Sequence, residues 1–307
     1  MIAGPTCSGK SGLALALAER LGGTVINADS MQVYRELRIV TARPSPAEEA
    51  LVPHRLYGVR PAAEPGSVAW WRAAALDAMA ACRVPILCGG TGLYLQSLTA
   101  GLAEIPDPGP AARAEARALL EQGGPAALHD RLAEADPATA AALRPSDGQR
   151  LARAWEVWRG TGQGLAAWQC DAGLPAPFAF KLILLDPPRD ALRAAIAARF
   201  DAMLEAGAVD EVRALLALGL DPSLPAMRAH GVPELGAFLR GEIGLAEASK
   251  CAVFATRRYV KRQATWFRNR VLADQTRTRT IAARFISFQQ LSGRERTEII
   301  AFVRDAG

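Results

Sequence analysis

Residues 4–11 read Gly4-Pro5-Thr6-Cys7-Ser8-Gly9-Lys10-Ser11, a full match to the phosphate-cradling P-loop pattern G-x-x-x-x-G-K-[ST]. The pattern has a mechanism. Its glycines let successive backbone N–H groups turn inward into an anion-binding nest. Lys10 adds a mobile point charge, and the Ser11 hydroxyl can ligate Mg²⁺. The following helix contributes N–H groups and the positive end of its dipole. Ser11 to Arg20 is rich in Leu and Ala and suits that helix. The motif predicts a bound phosphate without saying whose. Only Met1, Ile2 and Ala3 precede Gly4, where a buried strand of about five residues is expected. The first strand is either clipped by the start of the chain or unusually short. A weakened central strand is expected, with room for an N-terminal extension.

Beyond the P-loop helix the first hundred residues keep an α/β rhythm. Thr24 to Asn27 reads as a short strand ending at Ala28-Asp29-Ser30, and Val68 to Ala81 as a helix. Val84 to Cys88 reads as a buried strand ending in Gly89-Gly90-Thr91. Polar groups at such strand ends fall on the carboxyl edge of a parallel sheet, where open α/β sheets bind ligands. The composition then shifts. Ile105-Pro106-Asp107-Pro108-Gly109-Pro110 is a proline-dense linker. Ala111 to about Gln169 is helical in pattern, with breaks at Gly123-Gly124-Pro125, Asp136-Pro137 and Arg144-Pro145. Lys181 to Leu185 returns as a strand. The predicted fold is α/β: a P-loop NTPase-like parallel-sheet core (1–105 and 176–307) with a helical insertion domain (106–175) and a helical, basic C-terminal region.

At 307 residues, half of them hydrophobic, the chain can bury a sizeable core. No run of 18 apolar residues and no signal segment appear, so the expected compartment is the cytosol, with no membrane partner. The five cysteines form no C-x-x-C pair and stand beside only three histidines, which argues against a zinc site. Cys7 reads as a small residue filling a loop position. The net charge of +5 favours an anionic partner. Its location says more than its size. From Lys250 to Ala273 there is no acidic residue but seven basic ones: Lys250, Arg257, Arg258, Lys261, Arg262, Arg268 and Arg270. At about 100° per residue, Val253, Val260, Ala264, Phe267 and Val271 share one stripe. One face then packs on the core and the other forms a basic rail suited to a phosphate backbone. A solvated Arg-rich face is the plainer reading of the same pattern. Trp266 reads as a core anchor or as a stacking platform for a base.

Two readings of Asp29 stand side by side. A carboxylate at that strand end can act as general base over the phosphates, or it can cap a helix. Leu182-Ile183-Leu184-Leu185-Asp186 imitates the acidic Mg²⁺ site of hydrolysing P-loop proteins, but Pro187-Pro188 follows and Asp186 reads as a strand-end cap. A small-molecule kinase explains the loop and Asp29 but not the basic rail. A non-catalytic RNA-binding module explains the rail but needs neither Asp29 nor Thr91.

Several motifs occur in order: the P-loop, then Asn27-Ala28-Asp29-Ser30-Met31-Gln32-Val33-Tyr34-Arg35, Thr41-Ala42-Arg43-Pro44, Pro53-His54-Arg55-Leu56 and Gly89-Gly90-Thr91-Gly92-Leu93-Tyr94. Gln149-Arg150-Leu151-Ala152-Arg153-Ala154 and Lys261-Arg262-Gln263-Ala264-Thr265-Trp266-Phe267-Arg268 follow. Together they resemble the bacterial tRNA dimethylallyltransferases, or tRNA isopentenyltransferases, over nearly the whole chain. The chain departs from that pattern at Val40 and Arg43, at Gly148, and at Val232-Pro233, where the family commonly has an aromatic and a cation.

The resemblance implies transfer of a dimethylallyl group from dimethylallyl diphosphate to N6 of the adenosine 3′ of a tRNA anticodon. A related alternative is the same transfer to free adenine nucleotides. By match to the family, Asp29 would take the proton from N6 and Thr91 would bond near the amine. Gly4, Pro5, Thr6, Cys7, Ser8, Gly9, Lys10, Ser11 and Arg199 would hold the diphosphate, with Mg²⁺ on Ser11. The loop would bind the donor although such proteins are commonly called nucleotide-binding. Contacts to tRNA would come from Asp29, Ser30, Met31, Gln32, Thr91, Arg113, Gln149, Arg150, Leu151, Ala152, Arg153, Arg228, Lys261, Arg262, Gln263, Trp266 and Arg268. The chain is expected to act as a monomer.

Overall fold

A computed structural model describes residues 1–171 and 173–304 of the chain. Six parallel strands form one sheet: β1 (Ile2–Ala3), β2 (Thr24–Asn27), β3 (His54–Arg55), β4 (Pro85–Gly89), β5 (Leu182–Leu185) and β6 (Thr278–Ile281). Their order is β3-β2-β4-β1-β5-β6. The short first strand is therefore central. Ile2 sits opposite Cys88 on one side and Ile183 on the other. Two residues suffice there because both neighbours are apolar and buried, so strand pairing and core packing act on the same residues.

Two compact units share the chain. The first comprises Met1–Thr99 and Pro177–Gly307, the second Ala100–Ala176. The first holds the sheet with helices α1 (Lys10–Leu21), α2 (Pro46–Leu51), α3 (Val68–Ala80) and α4 (Gly92–Thr99). The second is α5 (Gly109–Ala135), α6 (Pro137–Ala141), α7 (Gly148–Thr161) and α8 (Leu165–Gln169). The first unit resumes with α9 (Arg189–Glu205), α10 (Ala208–Leu216), α11 (Val232–Leu239), α12 (Leu245–Arg268) and α13 (Gly293–Arg304).

Local chemistry sets these boundaries. Ser45 and Ser67 cap α2 and α3 by accepting N–H bonds, and Asp136 and Asp147 do the same for α6 and α7. Gly124, at φ 72, bends α5 beside Pro125. In the second unit Ala116, Leu128, Leu132, Leu151 and Ala154 form a separate apolar core. The proline-dense segment belongs to this unit, since the backbone of Gly160 lies against Pro108. Among the described residues no helix is long and apolar enough to cross a membrane.

Candidate active site

Three connections leave the carboxyl ends of neighbouring strands β2, β4 and β1. They carry, in turn, Asp29, Thr91 and the P-loop. Parallel pairing therefore gathers at one edge residues separated by up to about ninety positions in sequence.

The P-loop between β1 and α1 buries Gly4, Pro5, Cys7 and Ser8 and leaves Ser11 exposed. The Lys10 ammonium donates to the Pro5 carbonyl at 2.8 Å. Burial lowers its pKa from the ordinary lysine value, while Asp29 opposes and Arg199 adds to that shift. Cys7 adopts a left-handed φ of 67° and Gly9 one of 94°. A Cβ on Gly9 would collide with the Phe285 carbonyl, so close backbone approach requires glycine there. The Ser8 hydroxyl is buried and has no hydrogen-bond partner among the described residues. Arg199, on α9, reaches the same loop: its Nη2 donates to the Thr41 carbonyl at 3.2 Å and its Nη1 lies 3.9 Å from Cys7 Sγ.

Asp29 is not a helix cap, because no helix starts there. Its Oδ1 accepts the Met31 N–H at 2.9 Å in an Asx turn, and its own N–H donates to Asn27 Oδ1 at 2.8 Å. Asn27 is fully buried and also donates to the Leu56 carbonyl. The carboxylate is thus fixed at the tip of β2. Thr91 is tied to the same turn. Its Oγ1 accepts the Ser30 N–H at 2.9 Å and donates to Ser30 Oγ at 3.3 Å, while its N–H donates to the Ala28 carbonyl. Gln32 donates to the Thr41 and Ala42 carbonyls, and Met31 is half-buried beside it.

Tyr259, absent from the sequence-based set, completes this edge. Burial raises the pKa of its hydroxyl above the usual tyrosine value, with Asp29 adding to the shift and Arg262, Thr91 and Gln263 opposing it. Its ring lies 4.9 Å from His230. The available signal was its spacing: Tyr259 stands one helical turn before Gln263, just ahead of the Lys261–Arg268 motif.

Some predicted contacts have other work. Gln263 is 4% exposed. Its Oε1 accepts the Thr6 N–H at 2.9 Å and its Nε2 donates to the Gly90 carbonyl at 3.0 Å, so it brackets the loop to β4 and is not offered to RNA. Leu151 lies in the apolar core of the second unit, and Ala152 packs against that core. Arg268 forms a bidentate pair with Asp186, which makes Asp186 its counter-ion rather than a cap. Trp266 is half-buried against Gly92 and Phe267. Val271 is 85% exposed and leaves the apolar stripe, because α12 ends at Arg268 with Asn269 as its cap.

The rest of the α12 pattern holds. Val260 is buried with Cys7, Leu192 and Ile196, and Val253 packs on them. Arg257, Arg258, Lys261 and Arg262 are exposed; by helical spacing Arg258 and Arg262 point away from that stripe and Lys261 flanks it. Gln149, Arg150 and Arg228 are exposed too. Arg113, Arg150 and Arg153 pair with Asp107, Asp147 and Glu156, surface pairs that cost little to exchange for phosphates.

The family profile for IPP transferase matches residues 32–270. The chain belongs to the IPP transferase family. It is 64% identical over 308 residues to the tRNA dimethylallyltransferase of Granulibacter bethesdensis, covering 99% of this chain and 97% of the relative. It is 61% identical to that of Gluconacetobacter diazotrophicus, covering 99% and 93%. Among solved structures, this IPP transferase is similar to the full-length tRNA isopentenylpyrophosphate transferase of Bacillus halodurans, with TM-score 0.67 and 33% identity over 98% of this chain and 94% of that one. It is also similar to a eukaryotic dimethylallyltransferase captured acting on tRNA, with TM-score 0.79 and 25% identity over 96% and 76% of the two chains. The parallel P-loop core is thus the fold of the family.

Proposed function

We propose that the edge formed by the P-loop, Asp29 and Thr91 carries out the dimethylallyl transfer that family membership assigns to this chain. The donor is dimethylallyl diphosphate, the acceptor is N6 of the adenosine 3′-adjacent to the anticodon, and diphosphate leaves. One observation carries the reading: a fixed carboxylate and a fixed hydroxyl stand at the strand ends beside a phosphate loop. Membership in the family removes the small-molecule kinase, and the basic α12 face favours tRNA over free nucleotides as acceptor.

The chemistry follows from charge. As the allylic C–O bond breaks, negative charge grows on the diphosphate, and preorganised N–H donors and cations stabilise it most at that moment. The loop amides from Gly9 to Ser11, Lys10 and Arg199 supply them. Ser8 Oγ is a buried donor awaiting an acceptor, which suits a phosphate oxygen. Exocyclic N6 is a weak nucleophile, so Asp29 accepts its proton as the N–C bond forms. Thr91 orients the amine, itself held by the Ser30 amide and hydroxyl. The adenine must leave its stack to reach this edge.

Among the described residues no group of three His, Cys, Asp or Glu is placed to hold a metal ion. The Ser11 hydroxyl, exposed at the start of α1, is the residue that would hold a divalent ion, Mg²⁺ by its preference for oxygen ligands. Bound there, such an ion supplies further positive charge to the leaving diphosphate. The tRNA is gripped through phosphates by Arg258, Lys261 and Arg262 of α12, by Arg228, and by Arg113, Gln149, Arg150 and Arg153 of the second unit.

The test is direct. The protein is incubated with Mg²⁺, dimethylallyl diphosphate and an anticodon stem-loop carrying A-A-A on its 3′ side, and the nucleosides are analysed by mass. Prenylated adenosine is expected. Its absence, alongside prenylation of free adenine nucleotides, would contradict the proposal.

A further inference from the structure

The P-loop is held from outside by a segment far from it in sequence. After β6 the chain turns through Arg284 and Phe285 along the loop. Arg284 Nε donates to the Cys7 carbonyl at 2.8 Å. The Phe285 N–H donates to the Ser8 carbonyl at 2.9 Å, and its own carbonyl lies where a Cβ on Gly9 would be. The Phe285 ring anchors this segment. It is buried with Leu13, Leu17 and Phe288, and the two phenyl rings meet edge-on at 5.6 Å. The segment lies beyond the residues 32–270 matched by the family profile.

Peptide geometry gives the contact a consequence. In a trans peptide the C=O of one residue and the N–H of the next point to opposite sides of a rigid plane. Holding the Cys7 and Ser8 carbonyls outward turns the N–H groups of Ser8 and Gly9 inward. The Ser8 N–H indeed points across the loop to the Pro5 carbonyl at 3.2 Å, the same oxygen that Lys10 Nζ meets. Cys7 is not a glycine, yet it sits at φ 67°. Such conformations persist only where the surroundings over-determine them, and a charge-assisted bond to its carbonyl does so. No ion pair engages the Arg284 guanidinium among the described residues, so its charge adds to the positive field around the loop.

We propose that Arg284, with the Phe285 backbone, is a positioning residue for the donor diphosphate: it keeps the P-loop amides turned inward before the anion arrives. The inference rests on the reading that this loop holds diphosphate. It predicts that donor binding depends on a residue that need not touch the donor.

The full chain with Arg284→Gln and Arg284→Lys tests this. Affinity for inorganic diphosphate with Mg²⁺ is measured by calorimetry, beside donor KM, kcat, stem-loop affinity and Tm. Gln shortens the reach and removes the charge; Lys keeps a charged donor. Arg284→Gln should raise both the diphosphate Kd and the donor KM on the order of tenfold, the effect expected for a charge-assisted hydrogen bond. Stem-loop affinity and Tm should stay near wild type, and Arg284→Lys should recover most of the loss. A diphosphate Kd and donor KM unchanged in Arg284→Gln would overturn the proposal. So would parallel losses in donor binding, stem-loop binding and Tm in both variants, which would make Arg284 a packing residue only. Wild-type protein without saturable diphosphate binding would refute the phosphate-cradle reading itself, and the brace with it.

Discussion

Gln263 Oε1 accepts the Thr6 N–H at 2.9 Å across 257 residues of sequence. With its Nε2 on the Gly90 carbonyl, one buried amide ties α12 to both the P-loop and the end of β4. Gly90 must be small, because a Cβ there would strike the Gln263 amide. Replacing Gln263 with Leu keeps the volume but strands a buried donor and a buried acceptor. Each unpaired group costs roughly 1–3 kcal/mol. Gln263→Leu should therefore lower the urea midpoint with an unchanged m value, by a free energy of about 2–4 kcal/mol. A loss of stem-loop affinity with unchanged stability would instead make Gln263 an RNA contact.

The α12 face offers a second prediction. Arg258 and Lys261 are exposed and make no ion pair among the described residues. Phosphate contacts release counterions, and each contributes about 0.7 to the slope of log affinity against log salt for single strands. Neutralising both should flatten that slope by roughly 1.4 and weaken stem-loops of different sequence alike. An unchanged slope would return this face to plain solvation.

How far this site was legible in the sequence depends on what each residue does. The P-loop could be read because its chemistry demands fixed residue types after a strand, and Asp29 and Thr91 could be placed at strand ends, their roles coming from the resemblance alone. Asp29's choice between base and cap could not be read, because it turned on whether a helix follows; the Asx turn to Met31 settles it against a cap. Gln263 and Leu151 read as RNA contacts in the sequence because a motif marks a residue as needed without saying for what, and the same motif hides the counter-ion of Arg268. Their partners, Thr6, the core of the second unit and Asp186, are distant in sequence or supplied by packing. Arg284 and Phe285 carried no sequence signal. Only the return of β6 beside β5 brings them to the loop.

His230 carries a pH prediction. Burial lowers its pKa below the ordinary 6.5, Glu234 and Asp29 oppose the shift, and Arg262 adds to it. The folded protein thus binds fewer protons at this site than the unfolded chain. Its stability is complete above pH 6.5 and falls as pH drops through the lowered folded pKa. His230→Gln should flatten the dependence of the urea midpoint on pH below 6.5. An unaltered pH profile would contradict this.

Asp29 tests the account most directly. Asn at position 29 keeps the Oδ1 acceptor for the Met31 N–H, and with it the turn, but cannot take a proton. The measurement is single-turnover transfer to an anticodon stem-loop, with donor and stem-loop affinities determined on the same Asp29→Asn protein. Transfer should slow by roughly 10²–10⁴-fold, the usual contribution of a general base, while both affinities stay within about twofold, well inside a tenfold, 1.4 kcal/mol change. Transfer at the wild-type rate, or a loss of binding as large as the loss of rate, would contradict Asp29 as the base for N6.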